Sequence, residues 1–170
     1  MSGDLRKFQE ITGYKFNDVS VLEHAMSHSS YSNEMHTGML GSNERLEFLG
    51  DAVLELVSSE LFYNRYPDID EGGLTKVRAQ NVCEQALYDA AEKIPLSKYI
   101  RLGKGEECSG GRKRPSVVSD AFEALMGAVY IDGGYEAARE FIIKNALADV
   151  IREDHTHDGI DINSKTRLQE

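Results

Sequence analysis

Residues 43–54 read Asn-Glu-Arg-Leu-Glu-Phe-Leu-Gly-Asp-Ala-Val-Leu, and they constrain the fold more than any other stretch of the chain. Glu44, Glu47 and Asp51 recur at i, i+3 and i+7, which at about 100° per residue places them within an arc of roughly 60° on one helix face. Leu46, Leu49, Val53, Leu56 and Val57 cluster on the opposite face. The pattern predicts a helix from about Asn43 to Tyr66 that stops before Pro67, because proline pushes the preceding residue out of the α region. This is an apolar core helix carrying an acidic stripe. Two carboxylates about 4 Å apart repel by roughly 4 kcal/mol at an effective dielectric near 20. Such a stripe beside a core suggests a bound cation; the alternative is a solvated helix face.

A second acidic pair follows far along the chain. In residues 119–127, Asp120 and Glu123 stand one turn apart, while Phe122, Leu125, Met126 and Val129 take the other face. Gly127 lies at i+7 from Asp120, near the acidic side. A mid-helix glycine costs about 1 kcal/mol relative to alanine, which points to the close approach of another element. Gly50 holds a similar place beside the first stripe. If the two helices pack with their acidic faces along one edge, Glu47, Asp51, Asp120 and Glu123 form an all-oxygen site of the kind that hard divalent cations prefer.

The rest of the chain also reads as helix, with no strand alternation of useful length and no internal repeat, so the expected class is all-α. Its 170 residues suit one domain with a tail. Leu5, Phe8 and Ile11 mark a short first helix. Asp18 or Ser20 caps a second, with Val21, Leu22, Ala25 and Met26 facing inward. Asp70 caps a helix carrying Val77, Val82, Leu87 and Ala91 as far as Pro95. Ser116 or Ser119 opens the second acidic helix, which ends at Gly133-Gly134. A final amphipathic helix starts at about Tyr135.

A net charge of −10 argues against a nucleic-acid partner on its own. The basic charge is concentrated, however, with Arg101, Lys104, Arg112, Lys113 and Arg114 in one glycine-rich stretch. That stretch is either a solvated loop or a phosphate-facing one. No apolar run approaches the ~18 residues of a membrane span, and there is no signal-peptide pattern. Cys83 and Cys108 lack zinc spacing, and reduced thiols in a cytoplasm are the simplest reading. His24 and His28 stand at i, i+4 without the surrounding HExxH form, which favours packing or hydrogen bonding over zinc. No Glu-x-x-His occurs, which weakens a di-iron bundle, and no P-loop motif occurs, so no nucleotide cofactor is expected.

The segment Asn43 to Leu54 closely resembles the signature of the ribonuclease III family, endonucleases that cut double-stranded RNA. The resemblance continues through residues 28–34, 70–79 and 102–106, and through Ser119 to Gly127, in the family's order, so it covers nearly the whole chain. It implies the helical endonuclease-domain fold of that family over 1–153. Residues 154–170 are expected to be a linker and the opening of a double-stranded-RNA-binding domain of which the rest is missing.

The resemblance also implies roles. Glu47, Asp51, Asp120 and Glu123 would ligate magnesium, with manganese as a substitute, and Glu44 and Glu71 would support the catalytic site. For Glu71 the alternative is a helix N-terminal glutamate favoured by the dipole. Lys104, Arg112, Lys113, Arg114 and Arg78 would contact RNA. Phe48, about 40° from Glu44 and near the acidic face, would plug an apolar socket on the partner of a homodimer. The implied activity is hydrolysis of duplex RNA to 5′-phosphate and 3′-hydroxyl ends with two-nucleotide 3′ overhangs, in rRNA-precursor and mRNA processing. The alternative is a non-catalytic module of the same fold that binds duplex RNA or a protein.

Overall fold

The structure is a computed structural model that describes residues 4–153, so the expectation for 154–170 lies outside the described residues. Nine α-helices occur among them: α1 Leu5–Thr12, α2 Val19–Ala25, α3 Ser29–Glu34, α4 Glu44–Arg65, α5 Glu71–Asn81, α6 Glu84–Lys93, α7 Lys104–Cys108, α8 Pro115–Asn145 and α9 Ala148–Glu153. No strand occurs among the described residues. An isolated parallel bridge joins Ser27 to Arg101 and ties the end of α2 to the segment before α7. The all-α class follows from this architecture.

Local chemistry sets many of the helix ends. The Asp18 carboxylate accepts the Ser20 backbone N–H at 2.9 Å and that of Asp70 accepts the Gly73 N–H at 2.8 Å, each satisfying a donor the helix start would leave unpaired. The expected opening of α8 at Ser116 or Ser119 is displaced to Pro115, whose missing N–H costs nothing at the first helical position. Inside α8, Gly134 takes φ +77° and ψ −172°, a conformation only glycine adopts readily, and the helix bends there. The expected break at Gly133-Gly134 is thus present: α8 consists of two helical segments that meet at Gly134.

The expected single helix from Asp70 to Pro95 is two helices. Val82 ends α5, and Cys83, with extended backbone, starts α6. The apolar period runs through the break because Val77 and Val82 pack against the core on one side of it and Leu87 and Ala91 on the other.

The core is organised around α4 and α8, the most extensively packed pair. Leu46, Val53, Leu54 and Val57 of α4 meet Phe122, Leu125, Met126 and Val129 of α8, with α2 and α6 closing the sides. Leu56 departs from the sequence expectation: its side chain is 56% exposed. The buried arc of α4 is centred on Gly50, where α8 crosses, and Leu56 falls beyond its edge. A count of apolar residues cannot weigh a glycine, so it misplaces that centre.

Candidate metal centre at the crossing of two helices

The crossing is made by two glycines. A Cβ on Gly50 would lie 1.8 Å from the Glu123 carbonyl oxygen, and one on Gly127 would lie 2.3 Å from the Leu46 carbonyl oxygen. Each helix thus presses its backbone into a gap the other leaves. The consequence for chemistry is direct. Glu47 is one residue from Leu46, and Glu123 carries the carbonyl that meets Gly50. Backbone contact at this range brings their side chains to one edge of the crossing.

Carboxylate oxygens of Glu47, Asp120 and Glu123 all lie within 4.8 Å of one another. The three side chains are half-buried. Burial and the neighbouring charges of Asp51, Asp120, Glu47 and Glu55 push the Glu123 carboxyl up to about 8. Burial, then Asp120, Glu44 and Asp51, raises Glu47. Burial and Glu84 raise Asp120, while His28 pulls it the other way. A group of acids that resists ionisation because it is partly buried and its members repel at close range is one whose charges a divalent cation offsets. An all-oxygen donor set of this size fits magnesium or manganese and not a soft metal.

The other expected site residues stand outside this trio. Asp51, one turn on from Glu47, is exposed and stands outside the tight group, although its charge is felt at both Glu47 and Glu123. Glu44 is exposed and accepts the Ser42 hydroxyl at 3.2 Å. Glu71, the first residue of α5, is exposed and accepts the Thr75 hydroxyl at 3.0 Å. Phe48, beside Glu47, is 81% exposed.

The basic residues divide. Lys113 is exposed, and the Lys104 side chain reaches into solvent with its amine 3.8 Å from Glu34. Arg114 pairs with Glu106 at 2.6 Å. Arg112 is committed within the chain. Its Nη1 donates to the carbonyls of Ser97 at 2.5 Å and Ile100 at 2.9 Å, and its Nε to Glu107 at 2.9 Å. Arg78 is likewise held, by Glu55 and Ser59 of α4.

Sequence reasoning missed three residues, two whose charges reach the trio and one that sets the start of α4. Glu55 continues the stripe four residues past Asp51, and its spacing could have found it. Glu84 comes from the start of α6, and only the fold brings it near Asp120. Asn43 is buried, donates to the Ala25 carbonyl at 3.1 Å and fixes the start of α4 against α2. The histidines take the expected hydrogen-bonding roles: His24 Nε2 bonds the Ser42 carbonyl at 2.8 Å, and His28 caps α3 by accepting the Ser30 N–H.

Comparison with known proteins follows the same lines. The ribonuclease-III-like family model matches residues 18–150. The chain is 46% identical to ribonuclease 3 of Listeria welshimeri over 164 residues, covering 96% of this chain and 70% of that protein. It is 50% identical to ribonuclease 3 of Staphylococcus saprophyticus over 165 residues, covering 97% of this chain and 66% of that protein. Against ribonuclease 3 of Listeria monocytogenes it spans 59% of the relative's length. The nuclease domain of ribonuclease III from Campylobacter jejuni superposes with a TM-score of 0.78 at 34% identity, covering 93% of this chain and 99% of that domain. A second structure of that domain was described for structural flexibility in the region involved in dimer formation. This chain belongs to the ribonuclease-III-like family.

Proposed function

We propose that this chain is the catalytic part of a metal-dependent endoribonuclease that hydrolyses the phosphodiester bonds of double-stranded RNA. The observation that carries this reading is the carboxylate trio at the glycine crossing, in a chain of the ribonuclease-III-like family. Glu47, Asp120 and Glu123 would hold magnesium or manganese, and Asp51 would join them by a side-chain rotation at the exposed edge. Bound there, the cation supplies charge neutralisation at the phosphate and activation of water. The chain's own residues do the rest. The rigid crossing fixes where the carboxylates stand. Glu44 and Glu71, exposed at the starts of α4 and α5, would support the site from the side where a strand would lie. No serine, cysteine or histidine nucleophile is needed.

Lys104, Lys113 and Arg114 offer a surface for phosphates; the internal bonds of Arg112 and Arg78 give those two a supporting part instead. A-form RNA hides its base edges in a deep groove, so recognition should rest on shape, 2′-hydroxyls and phosphates. The products would be 5′-phosphate and 3′-hydroxyl ends with two-nucleotide 3′ overhangs, in rRNA-precursor and mRNA maturation in the cytoplasm. No helix among the described residues is long and apolar enough to cross a membrane.

The substrate reading is tested with one sequence prepared as duplex RNA and as duplex DNA. RNA should be cut and DNA left nearly intact, and cutting should fall steeply as salt rises because phosphate contacts dominate binding. Alanine at Lys104, Lys113 or Arg114 should raise KM and leave the rate at saturating RNA unchanged. Equal cutting of both duplexes would contradict recognition by shape.

Cutting both strands needs two such sites, and a two-fold homodimer supplies them. Phe48 is the expected contact: an exposed phenyl ring next to Glu47 would enter a socket on a second copy. Burying it stabilises the pair by about 1.5–3 kcal/mol for each of the two side chains. Phe48→Ala should therefore give a dimer that dissociates on dilution and yields fewer paired cuts, as read by sedimentation velocity. A wild-type chain that sediments as a monomer at micromolar concentration would contradict the dimer, whereas a Phe48→Ala dimer that survives dilution would contradict only the part given to Phe48.

A further inference from the structure

Among the helices of ten residues or more, α5 alone has no buried residue. Leu74 and Val77 are only half-buried against the core, and Gly72 and Gly73 occupy its first turn. A glycine in a helix costs about 1 kcal/mol relative to alanine, so the end of α5 that carries Glu71 is weak by composition as well as by packing. Packing elsewhere in the molecule fixes α4 and α8 firmly, but it does little for this helix.

One side chain compensates. Arg78, near the far end of α5, reaches α4 with two arms. Its Nε is 2.9 Å from Glu55 Oε2, and its Nη1 donates to Ser59 Oγ at 2.8 Å. Ser59 in turn donates to the Glu55 carbonyl at 2.5 Å, so the acceptor is itself held in place. Glu55 and Ser59 stand four residues apart and lie on one face of α4. The planar guanidinium spans the two, which the single-point ammonium of a lysine cannot do. The pair is about a third exposed, at 36% for Arg78 and 38% for Glu55, partly sheltered from solvent. The anchored turn of α4 directly follows the turn of Asp51, and Glu55 is among the charges that raise Glu123. The clamp therefore joins α5 to the stretch of α4 that bears the acidic stripe.

We infer that Arg78 is a positioning residue, whose bonds to Glu55 and Ser59 fix α5 against the stretch of α4 that continues the acidic stripe. This deepens the hydrolase reading and rests on it. It is the alternative to the expectation from sequence that Arg78 contacts RNA: the guanidinium faces α4, where the Glu55 carboxylate offsets its charge and Ser59 accepts a second bond.

The test combines amide hydrogen exchange with kinetics on the full chain, using Arg78→Ala, Arg78→Lys, Ser59→Ala and the Arg78→Ala/Ser59→Ala double variant. Arg78→Ala should speed exchange across residues 71–81 by about tenfold or more while α4 and α8 keep their protection. It should lower kcat on duplex RNA by roughly ten- to a hundredfold, the range seen when supporting partners of a metal site are removed, with little change in KM. Arg78→Lys should recover part of both effects. Ser59→Ala should show a smaller effect of the same kind, and the double variant should be no worse than Arg78→Ala, since both remove one clamp. Unchanged exchange in α5 would overturn the clamp. Faster exchange with an unchanged kcat would overturn the positioning role, and a raised KM at unchanged kcat would return Arg78 to the RNA surface. A wild-type chain that fails to cut duplex RNA sinks the hydrolase reading instead, and the exchange data still decide whether Arg78 holds α5.

Discussion

Glu123→Gln should reduce magnesium-dependent cutting of duplex RNA by about a hundred- to a thousandfold, the scale on which loss of a preorganised charge-stabilising group acts. It should do so in a protein that is no less stable. Glu123 is the most strongly perturbed acid of the trio: burial and four neighbouring carboxylates push it up to about 8. The sign of its effect on stability follows. Between the ordinary value of 4.5 and about 8, the folded chain keeps a proton on Glu123 that the unfolded chain has lost. The folded state binds more protons, so this group's contribution to stability is largest at low pH and is lost as pH rises through that window. In thermal melts of the metal-free protein, the wild-type midpoint should fall between pH of about 5 and about 8, and Glu123→Gln should remove part of that fall. Magnesium competes with the same proton, so its stabilising shift should grow with pH in the wild type and be lost in the variant. A dead Glu123→Gln chain that still shows the full magnesium shift would move the cation to other residues.

The second large effect is expected at the crossing itself. Gly50→Ala places a methyl 1.8 Å from the Glu123 carbonyl oxygen and 2.6 Å from its carbon, where the obstacle is helix backbone and cannot rotate aside. Overpacking of this kind costs about 1–3 kcal/mol or more, which in a domain of this size lowers the midpoint by about 2–12 °C. The displacement acts on function as well, because moving α8 away from Leu46 separates Glu123 and Asp120 from Glu47. Gly50→Ala should therefore lose most of the magnesium shift along with its stability. Gly127→Ala, 2.3 Å from the Leu46 carbonyl oxygen, should behave alike. Gly105→Ala is the control, since nothing lies within 4 Å of its Cβ position. Differential scanning calorimetry with and without magnesium reads all three. A Gly50→Ala chain with wild-type midpoint and magnesium response would show that the close crossing does not set the site.

The parts of this design that were legible in the sequence are those governed by spacing along one helix. The stripe of Glu44, Glu47 and Asp51, the Asp120 and Glu123 pair, the caps at Asp18 and Asp70 and the stop before Pro67 each depend on residues within a turn or two of one another. Gly50 and Gly127 were visible as anomalies because a mid-helix glycine has a cost that something must offset. What they admit, the backbone of the opposing helix, is a pairing between residues far apart in the chain and needs the fold. Leu56 was misplaced for that reason: its periodicity is correct, but the buried arc is set by where α8 crosses. The break at Val82-Cys83 was hidden because apolar spacing continues across it.

Charge was the least legible property. Arg112 and Arg78 look like members of a basic surface when their neighbours in sequence are all that is known. Their acceptors, the carbonyls of Ser97 and Ile100 for one and Glu55 and Ser59 for the other, come from different elements. A guanidinium offers several donors in a fixed fork, which suits it equally to phosphate and to bracing two helices. The position of the acceptors, which separates these uses, is not written in the local sequence.

The central claim is that carboxylates gathered at the crossing of α4 and α8 serve metal-dependent cutting of duplex RNA. The most direct test incubates the chain with a long end-labelled RNA duplex in magnesium and, in parallel, in excess chelator, and maps both ends of every product. The account predicts cutting in magnesium alone, with 5′-phosphate and 3′-hydroxyl ends staggered to leave two-nucleotide 3′ overhangs. Cutting that persists in chelator, or an intact duplex in magnesium under conditions where the chain binds it, would contradict the claim.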